Sequence, residues 1–217
     1  MLTITVSSLK GGVGKSTLTL NLAAALHRAG HRALIVDADP QGSCVVWAAK
    51  AAELEHDGPP VVAIGGKTLR RDLAQVGQGF DVVVIDSPPR MALEARAAML
   101  AADLVLMPVT PGAPDVWALA ETVDVLEEAR QARPELLAAV VLNKLSKTAI
   151  ATATRTALAG LGVPLLDAAL GQRVAFAEAF AVGQGAVDYA PKGDAAHEVR
   201  RLVRAVLGAL DAKEVAA

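Results

Sequence analysis

Residues 10–17, with the sequence KGGVGKST, have the side-chain types that bind phosphate. They follow a short apolar run at 2–6 that predicts a strand, and they lead into an Ala/Leu-rich run at 16–29 that predicts a helix. Glycines let backbone N–H groups turn inward around an anion, and the N-terminus of a helix adds partial positive charge. In such a loop Lys15 reaches the β- and γ-phosphates of a nucleotide, and the Ser16 hydroxyl binds Mg²⁺. The alternative is a glycine-rich turn with an incidental lysine.

Two further apolar runs end in carboxylates. The run 34–39 (LIVDAD) supplies Asp37 and Asp39, and the run 80–86 (FDVVVID) ends in Asp86. Open α/β sheets place their ligands at the carboxyl ends of the strands. An aliphatic strand that closes on an aspartate is typical of the Walker B pattern, whose carboxylate holds Mg²⁺, so Asp86 is a candidate magnesium ligand. Each of these aspartates could instead cap a helix that follows it.

The phosphate loop departs from the usual pattern Gly-x-x-x-x-Gly-Lys-Ser/Thr, because Leu9 stands where the first glycine is expected and is followed by Lys10. This double-lysine sequence resembles the deviant Walker A motif of the ParA/MinD superfamily of P-loop ATPases. The segment 37–42 (DADPQG) resembles the second motif of the same family. The Pro-Val-Thr-Pro segment at 108–111 and the Gln-Arg pair at 172–173 resemble the small ParA/ParF-like partition ATPases most closely.

The resemblance implies a role for each matching residue. Lys10 would cross a dimer interface to the partner's nucleotide, Asp39 would position the attacking water, and Asp37 would support the Mg²⁺ shell. Asn143 would read the adenine edge, although a turn-forming asparagine looks the same in sequence, and the loop around Pro191 would wrap the base. The expected catalytic residues are Lys10, Lys15 and Asp39; the expected nucleotide-binding residues are Gly11, Gly12, Val13, Gly14, Lys15, Ser16, Thr17, Asn143 and Pro191; and the expected magnesium ligands are Ser16, Asp37 and Asp86.

Several arginines near the end of the chain are candidates for DNA binding. Arg200, Arg201 and Arg204 lie opposite the apolar stripe of a predicted helix over 194–210. Such a group suits contact with phosphate backbones without base reading. Arg173, in the ParF-like Gln-Arg segment, is a further candidate for nucleic-acid or dimer contact. A solvated charged helix face is the alternative for the three helical arginines.

Strands that alternate with helices must position these groups. We therefore expect an α/β fold with a doubly wound, mostly parallel sheet flanked by helices, forming a single P-loop ATPase domain over residues 1–217. A proline-rich loop is predicted at 110–116, before a helix at 117–133. The remaining predicted strands lie at 60–64, 103–109, 137–144 and 163–170, with a further helix at 148–161.

Composition excludes several classes of protein. With 21 Lys and Arg against 23 Asp and Glu, the net charge is −2, so DNA binding would need a local basic patch or multivalent assembly. Cys44 is the single cysteine, which excludes a disulfide framework, a zinc ribbon and a cysteine-ligated cluster within one chain. The chain opens directly on a strand and no apolar run approaches the roughly 18 residues of a membrane span, so we expect a cytoplasmic, nucleoid-associated protein with no signal peptide.

The resemblance implies a nucleotide-switched ATPase that positions a cargo. ATP and Mg²⁺ would close two subunits into a homodimer, the dimer would bind non-specific DNA, and a cargo-linked adaptor would stimulate slow hydrolysis. A MinD-like membrane-associated ATPase is one alternative, although the segment after Leu210 offers little apolar surface to a membrane. A metabolic ligase of the dethiobiotin-synthetase type is another, and it would need a small-molecule pocket that the sequence does not identify. A metal-cluster carrier would need paired cysteines.

Overall fold

The core of the protein is a seven-stranded sheet, which we describe from a computed structural model that covers residues 1–146 and 150–216. The strand order is β3-β2-β4-β1-β5-β6-β7, and every pairing within the described residues is parallel. The strands are β1 (Leu2–Val6), β2 (Ala33–Asp37), β3 (Val61–Ala63), β4 (Val82–Asp86), β5 (Leu104–Val109), β6 (Leu137–Leu145) and β7 (Leu165–Gly171).

Helices cover both faces of this sheet. They are α1 (Lys15–Arg28), α2 (Ser43–Glu53), α3 (Leu69–Val76), α4 (Ala92–Ala101), α5 (Ala113–Ala132), α6 (Ile150–Ala159), α7 (Val174–Ala181), α8 (Ala186–Tyr189) and α9 (Asp194–Ala216). The expected α/β sandwich is therefore confirmed. In the described ranges no helix combines the length and apolar character that crossing a membrane requires.

Alternating side chains of the strands build a core on each side of the sheet. In β4, Val84 packs into the cluster beneath α1 and α9, whereas Val83 and Ile85 pack into the cluster beneath α3 and α4. A third cluster lies under α5 and contains apolar residues of β5 and β6. Because both faces of the central strands are buried, these strands are continuous apolar runs, which is why they are readable in the sequence.

The order of the strands places one functional edge at the middle of the sheet. The chain starts at β1, builds β2 and β3 on one side, returns to β4 beside β1, and then adds β5 to β7 on the other side. In a parallel sheet all the strands end at the same edge, here called the carboxyl edge. Its centre, between β4, β1 and β5, is the switch point at which such folds bind ligands.

Some predicted boundaries differ from the structure. The helix expected at 117–133 begins at Ala113, because Pro114 occupies the first turn of α5, where a missing N–H is tolerated. The last helix continues past residue 210 to Ala216, and the short helix α8 has no counterpart among the predicted elements. The start of the helix expected at 148–161 falls partly on residues 147–149, which lie outside the described residues, and α6 begins at Ile150.

Candidate nucleotide site

The predicted phosphate loop joins the end of β1 to the start of α1. Gly12 and Gly14 adopt left-handed backbone conformations, with φ of 78° and 90°, which residues with a Cβ rarely adopt. A Cβ added at Gly14 would also overlap the side-chain amide of Asn143. The geometry therefore requires glycine at this position, and the N-terminus of α1 lies directly behind the loop.

A cavity of about 620 Å³ opens over this loop at the carboxyl edge, which is within the size range of small-molecule sites. Its lining brings together five segments that are distant in sequence: the phosphate loop, the β2–α2 connection, Pro89 in the β4–α4 loop, the end of β6, and the end of β7 with α7. The predicted residues that line it are Gly11, Gly12, Gly14, Lys15, Ser16, Thr17, Asp39 and Asn143. Val13 differs from its neighbours in the loop, because its side chain is buried in the protein.

Lys15 lies inside the site. Only 6% of the residue is exposed, and its Nζ donates to the carbonyl oxygen of Lys10 at 3.3 Å. Burial lowers the pKa of its amine, and the carboxylates of Asp86 and Asp39 act in the opposite direction. Lys15 is thus a buried cation placed between the phosphate loop and the aspartates, as its predicted contact with nucleotide phosphates requires.

Asp86 and Asp37 stand side by side at the ends of neighbouring strands. They are paired in the register of β2 and β4, and both are buried. The pKa of Asp86 is raised to about 7: desolvation is the main cause, the nearby charge of Asp37 acts in the same direction, and a hydrogen bond from Ser16 and the charge of Lys15 oppose them. Burial also raises the pKa of Asp37. Two adjacent buried carboxylates leave negative charge that a cation would neutralise.

Asp37 also has a structural role, which is the alternative interpretation of this residue. Its Oδ2 accepts the N–H groups of Cys44 and Val45 at 2.9 and 3.1 Å, so it satisfies donors at the start of α2. Its Oδ1 accepts the N–H of Asp39 at 3.2 Å. A cation that binds Asp37 must therefore use carboxylate oxygens that already accept hydrogen bonds from the start of α2 and from Asp39.

Cys44 lies fully buried against the two carboxylates. Its Sγ is 3.5 Å from Oδ2 of Asp86, and one ligand atom of each of Asp37, Cys44 and Asp86 lies within 4.8 Å of the others. Burial raises the pKa of the thiol, so Cys44 remains protonated and acts as a weak hydrogen-bond donor to Asp86.

Asp39 lies beyond the end of β2, half-buried, and lines the cavity. Its Oδ1 accepts the N–H of Gln41 at 3.0 Å, a local turn bond that fixes the carboxylate relative to its own loop. The helix-capping alternative is therefore realised for Asp37 and not for Asp39, whose hydrogen bond to Gln41 lies in the turn before α2.

The other lysine of the loop is directed differently. Lys10 does not line the cavity, and its Nζ forms an ion pair with Asp115 at 2.7 Å, in the first turn of α5. The side chain of Lys10 is 34% exposed and that of Asp115 is 18% exposed. The two lysines of the motif thus divide between the inside of the site and its rim.

The Asn-Lys pair at the end of β6 contacts the backbone of the phosphate loop. Nδ2 of Asn143 donates to the carbonyl oxygen of Val13 at 2.8 Å, and Nζ of Lys144 donates to that of Gly12 at 2.8 Å. Asn143 is buried, and its Oδ1 accepts the N–H of Lys144 at 2.9 Å. Asn143 lines the cavity, where its amide is engaged with the loop; its predicted contact with adenine stays a prediction. The contact made by Lys144 is not among the sequence predictions.

Pro191 does not line this cavity, and its predicted contact with the base stays a prediction. It lies in a separate pocket with His27 and Arg28, at the C-terminal end of α1. The phosphate loop is at the opposite end of this 14-residue helix, about 20 Å away at 1.5 Å per residue. One wall of the cavity is formed by the end of β7 and by α7, whose lining residues are Gly171, Gln172, Arg173, Phe176, Ala177 and Phe180.

Arg173 belongs to this wall of the cavity. Its guanidinium forms ion pairs with Glu198 at 2.7 Å and with Asp194 at 3.0 Å, both at the start of α9. The sequence singles out the Gln-Arg segment but predicts a DNA or dimer contact for Arg173. The structure places it beside the nucleotide site, held by two acidic side chains.

The three arginines of α9 do not share one environment. Arg201 donates to the carbonyl oxygen of Asp167, on the β7 side of the helix. Arg200 and Arg204 instead join Arg28 around a surface cavity of about 250 Å³, which we call the basic cleft; Ala25, Ala29, Val187 and Val203 complete it. Arg28 is near Asp188, at 3.7 Å, and no acidic partner of Arg204 is found among the described residues. The three arginines that lie together are therefore Arg28, Arg200 and Arg204, and Arg201 is not among them.

Comparison with known proteins identifies the family. A sequence profile of the CobQ/CobB/MinD/ParA nucleotide binding domain matches residues 4–187. The chain is 33% identical over 211 residues to the maintenance of carboxysome distribution protein A of Halothiobacillus neapolitanus, covering 94% of this chain and 96% of the relative. It is 30% identical over 236 residues to the chromosome-partitioning ATPase Soj of Thermus thermophilus, covering 94% of each chain.

Solved structures share the fold. The septum site-determining protein MinD of Pyrococcus horikoshii, in complex with Mg-ADP, superimposes with a TM-score of 0.75 at 23% identity, covering 94% of this chain and 95% of that one. Cobyrinic acid a,c-diamide synthase of Mycobacterium smegmatis, with a bound ATP analogue and magnesium, gives a TM-score of 0.77 at 21% identity, covering 95% and 94%. Since the profile spans most of the chain and both relatives match along nearly all of it, the protein belongs to the CobQ/CobB/MinD/ParA family and is a P-loop ATPase of the ParA/MinD type.

Proposed function

We propose that this single P-loop domain is an ATP-switched homodimer that positions a cargo on the nucleoid. The observation that carries the proposal is the division of the two loop lysines: Lys15 is buried in the site, whereas Lys10 is partly exposed on the rim. A lysine outside its own site is placed to serve the site of a second subunit. The names of the two relatives, carboxysome distribution and chromosome partitioning, support a positioning role.

ATP and Mg²⁺ would occupy the cavity over the phosphate loop. Two adjacent buried carboxylates and the Ser16 hydroxyl are oxygen donors of the kind that Mg²⁺ prefers. Desolvation is the main reason for the raised pKa of Asp86, and a bound cation would favour its charged form. Asp86 and Ser16 would hold the ion, with Asp37 supporting its shell. The ion would neutralise charge on the transferring phosphoryl group. Lys15 supplies a second, buried positive charge on the same side.

Asp39 would position the attacking water. It lines the same cavity as Lys15 and is held by its turn bond to Gln41. Phosphoryl transfer depends mainly on positioning and on charge stabilisation, so a carboxylate that orients water is sufficient without a strong base. Slow intrinsic hydrolysis fits this arrangement, and an adaptor attached to the cargo would accelerate it.

DNA binding would use the basic cleft. Arg28, Arg200 and Arg204 surround one cavity, although Arg200 also donates to the carbonyl oxygen of Pro191 at 2.8 Å and Arg28 lies near Asp188. Arg173 and Arg201 lie outside this cavity, bonded to Glu198 and to the carbonyl of Asp167. Arginines that contact phosphates bind DNA of any sequence in a salt-dependent way. A homodimer would carry two clefts, and the second contact would form at a raised effective concentration, so that pairing alone would strengthen retention on DNA.

The first test measures retention of non-specific DNA by the purified protein without nucleotide, with ADP, and with ATP, over a salt series. We expect retention only with ATP, stronger in Asp39→Ala because hydrolysis no longer resets the dimer, and abolished at high salt. Equal binding in every nucleotide state would contradict the switch. If the protein forms ATP-dependent dimers that retain no DNA, positioning on the nucleoid is excluded, and the MinD-like membrane-associated alternative is favoured.

A second prediction separates the basic cleft from other arginines. The double variant Arg200→Ala/Arg204→Ala should lower DNA affinity at least tenfold, with ATP hydrolysis retained. The slope of log K against log salt should become shallower by about one for each DNA phosphate that the variant no longer neutralises. The matched control is Arg70→Ala/Arg71→Ala on α3, which lies on the other face of the sheet. Equal decreases in both double variants would indicate that only net charge matters.

A third prediction concerns the ion pair that holds Lys10. Asp115→Asn should free the Lys10 amine and lower the protein concentration needed for ATP-dependent dimers by about fivefold, since a partly exposed ion pair contributes up to about 1 kcal/mol. Sedimentation of the Asp39→Ala protein with ATP, with and without the substitution, measures this shift. Asp124→Asn on the exposed side of α5 is the control. Weaker dimers in Asp115→Asn would mean that Asp115 belongs to the interface itself.

A fourth prediction follows from the raised pKa of Asp86. Unfolded, this carboxyl has an ordinary pKa near 3.8, whereas folded and ligand-free its pKa is about 7. The unfolded state therefore loses its proton first, and the ligand-free protein loses stability as the pH rises from about 4 to about 7, by up to a few kcal/mol. In chelator, Asp86→Asn should raise the melting temperature at pH 8 but not at pH 4, as measured by calorimetry.

Asp81, at the other end of the same strand, provides the opposite case. Its hydrogen bonds and ion pair with Arg32 lower its pKa to about 2. The contribution of Asp81 to the stability of the folded protein is therefore present above pH 4 and is lost as the pH falls. Asp81→Asn should therefore lower the melting temperature at pH 8. If Asp86→Asn also lowers the melting temperature at pH 8, the buried Asp86 carboxylate does not destabilise the ligand-free protein, and the prediction for Asp86 is wrong.

A further inference from the structure

We infer that Lys144 is a positioning residue that shapes the phosphate loop for the nucleotide; this inference rests on the proposed nucleotide binding. The contact that carries it is the 2.8 Å hydrogen bond from its Nζ to the carbonyl oxygen of Gly12, in the middle of the loop. Lys144 is thus a third lysine at the site, from a strand that is more than a hundred residues away in the chain.

An irregularity in β6 makes this contact possible. In a regular strand successive side chains point to opposite faces, so Asn143 and Lys144 could not both address the same loop. The pairing of β6 with β7 shifts register between Leu142 and Leu145, and Lys144 adopts a left-handed backbone with φ of 52°. Such a conformation is strained for a residue with a Cβ and tends to persist where the surrounding structure holds it, often at functional sites.

The two side chains hold consecutive carbonyls of the loop. Asn143 binds the carbonyl of Val13 and Lys144 binds that of Gly12. In a trans peptide the C=O and the following N–H point in opposite directions, so fixing these carbonyls also fixes the N–H groups of Val13 and Gly14. Backbone N–H groups are the donors with which such a loop binds phosphate. Lys144 therefore acts on the nucleotide through the loop.

The consequence is distinctive. A residue that shapes the loop affects every nucleotide that uses the loop, whereas a residue that contacts the γ-phosphate affects ATP alone. Loss of the Lys144 tether should therefore weaken ATP and ADP to the same degree. It should also raise KM for ATP more than it lowers kcat, because nucleotide that does bind meets an unchanged Lys15 and Asp39.

The test uses Lys144→Met, which keeps an apolar chain of similar length without the donor, and Lys144→Arg, which keeps a cationic donor. Equilibrium titration with fluorescent ATP and ADP gives Kd, and steady-state hydrolysis gives KM and kcat. We expect Kd for both nucleotides to rise about tenfold in Lys144→Met and less than threefold in Lys144→Arg. Lys50→Met, on the exposed side of α2, is the matched control and should bind as the native protein does.

Each outcome decides the inference. Unchanged Kd in a folded Lys144→Met protein would overturn it, and so would a loss confined to ATP, which would indicate direct γ-phosphate contact. If Lys144→Met does not fold, Lys144→Gly replaces it, because glycine accepts the left-handed backbone without strain and still removes the tether. If the native protein binds neither nucleotide, the proposed function fails; if it binds both and the variants match it, only the role of Lys144 fails.

Discussion

The concentration of buried charge at the ends of β2 and β4 is the constraint on which the rest of the site depends. Register places Asp37 directly beside Asp86, and Lys15 is the buried cation that lies near them. Carboxylates in such surroundings are costly unless they are paired or bound to metal. The free energy gained by burying apolar side chains on both faces of the sheet offsets this cost. Such a site suits a cation and an anion that bind together, as the proposed magnesium and nucleotide would.

The second constraint is geometric, and it explains why the loop carries two lysines. The buried amine of Lys15 lies inside the loop, bonded to the carbonyl of Lys10. Lys10 begins the loop and therefore points outward, where Asp115 at the start of α5 neutralises it. The motif thus places one amine for the subunit's own nucleotide and leaves one at the surface. Within the subunit, the outer lysine has no contact with the cavity.

The sequence predicts the parts of this site that local rules determine. The glycine loop and the carboxylates at strand ends follow from residue type and from the shared edge of a parallel sheet, so Lys15, Ser16 and Asp86 are predictable. The position of Pro191 depends on how α7, α8 and α9 pack, which long-range bonds such as Trp47 to Gln184 determine. Lys144 is not predictable in this way, because its role arises from a register shift in β6, which no local pattern marks.

A continuous set of contacts joins the nucleotide site to the basic cleft. Asp37 binds the start of α2; in that helix Nε1 of Trp47 donates to the carbonyl of Gln184, and two residues later the N–H of Ala186 donates to Asn21 of α1. Val187, next in the chain, lines the cleft. These bonds are buried or partly buried and belong to one layer of helices over one sheet face. A layer held in this way resists internal rearrangement. The proposed ATP-dependent binding to DNA would therefore arise more simply from pairing two subunits, each with a preformed cleft, than from reshaping the cleft within one subunit.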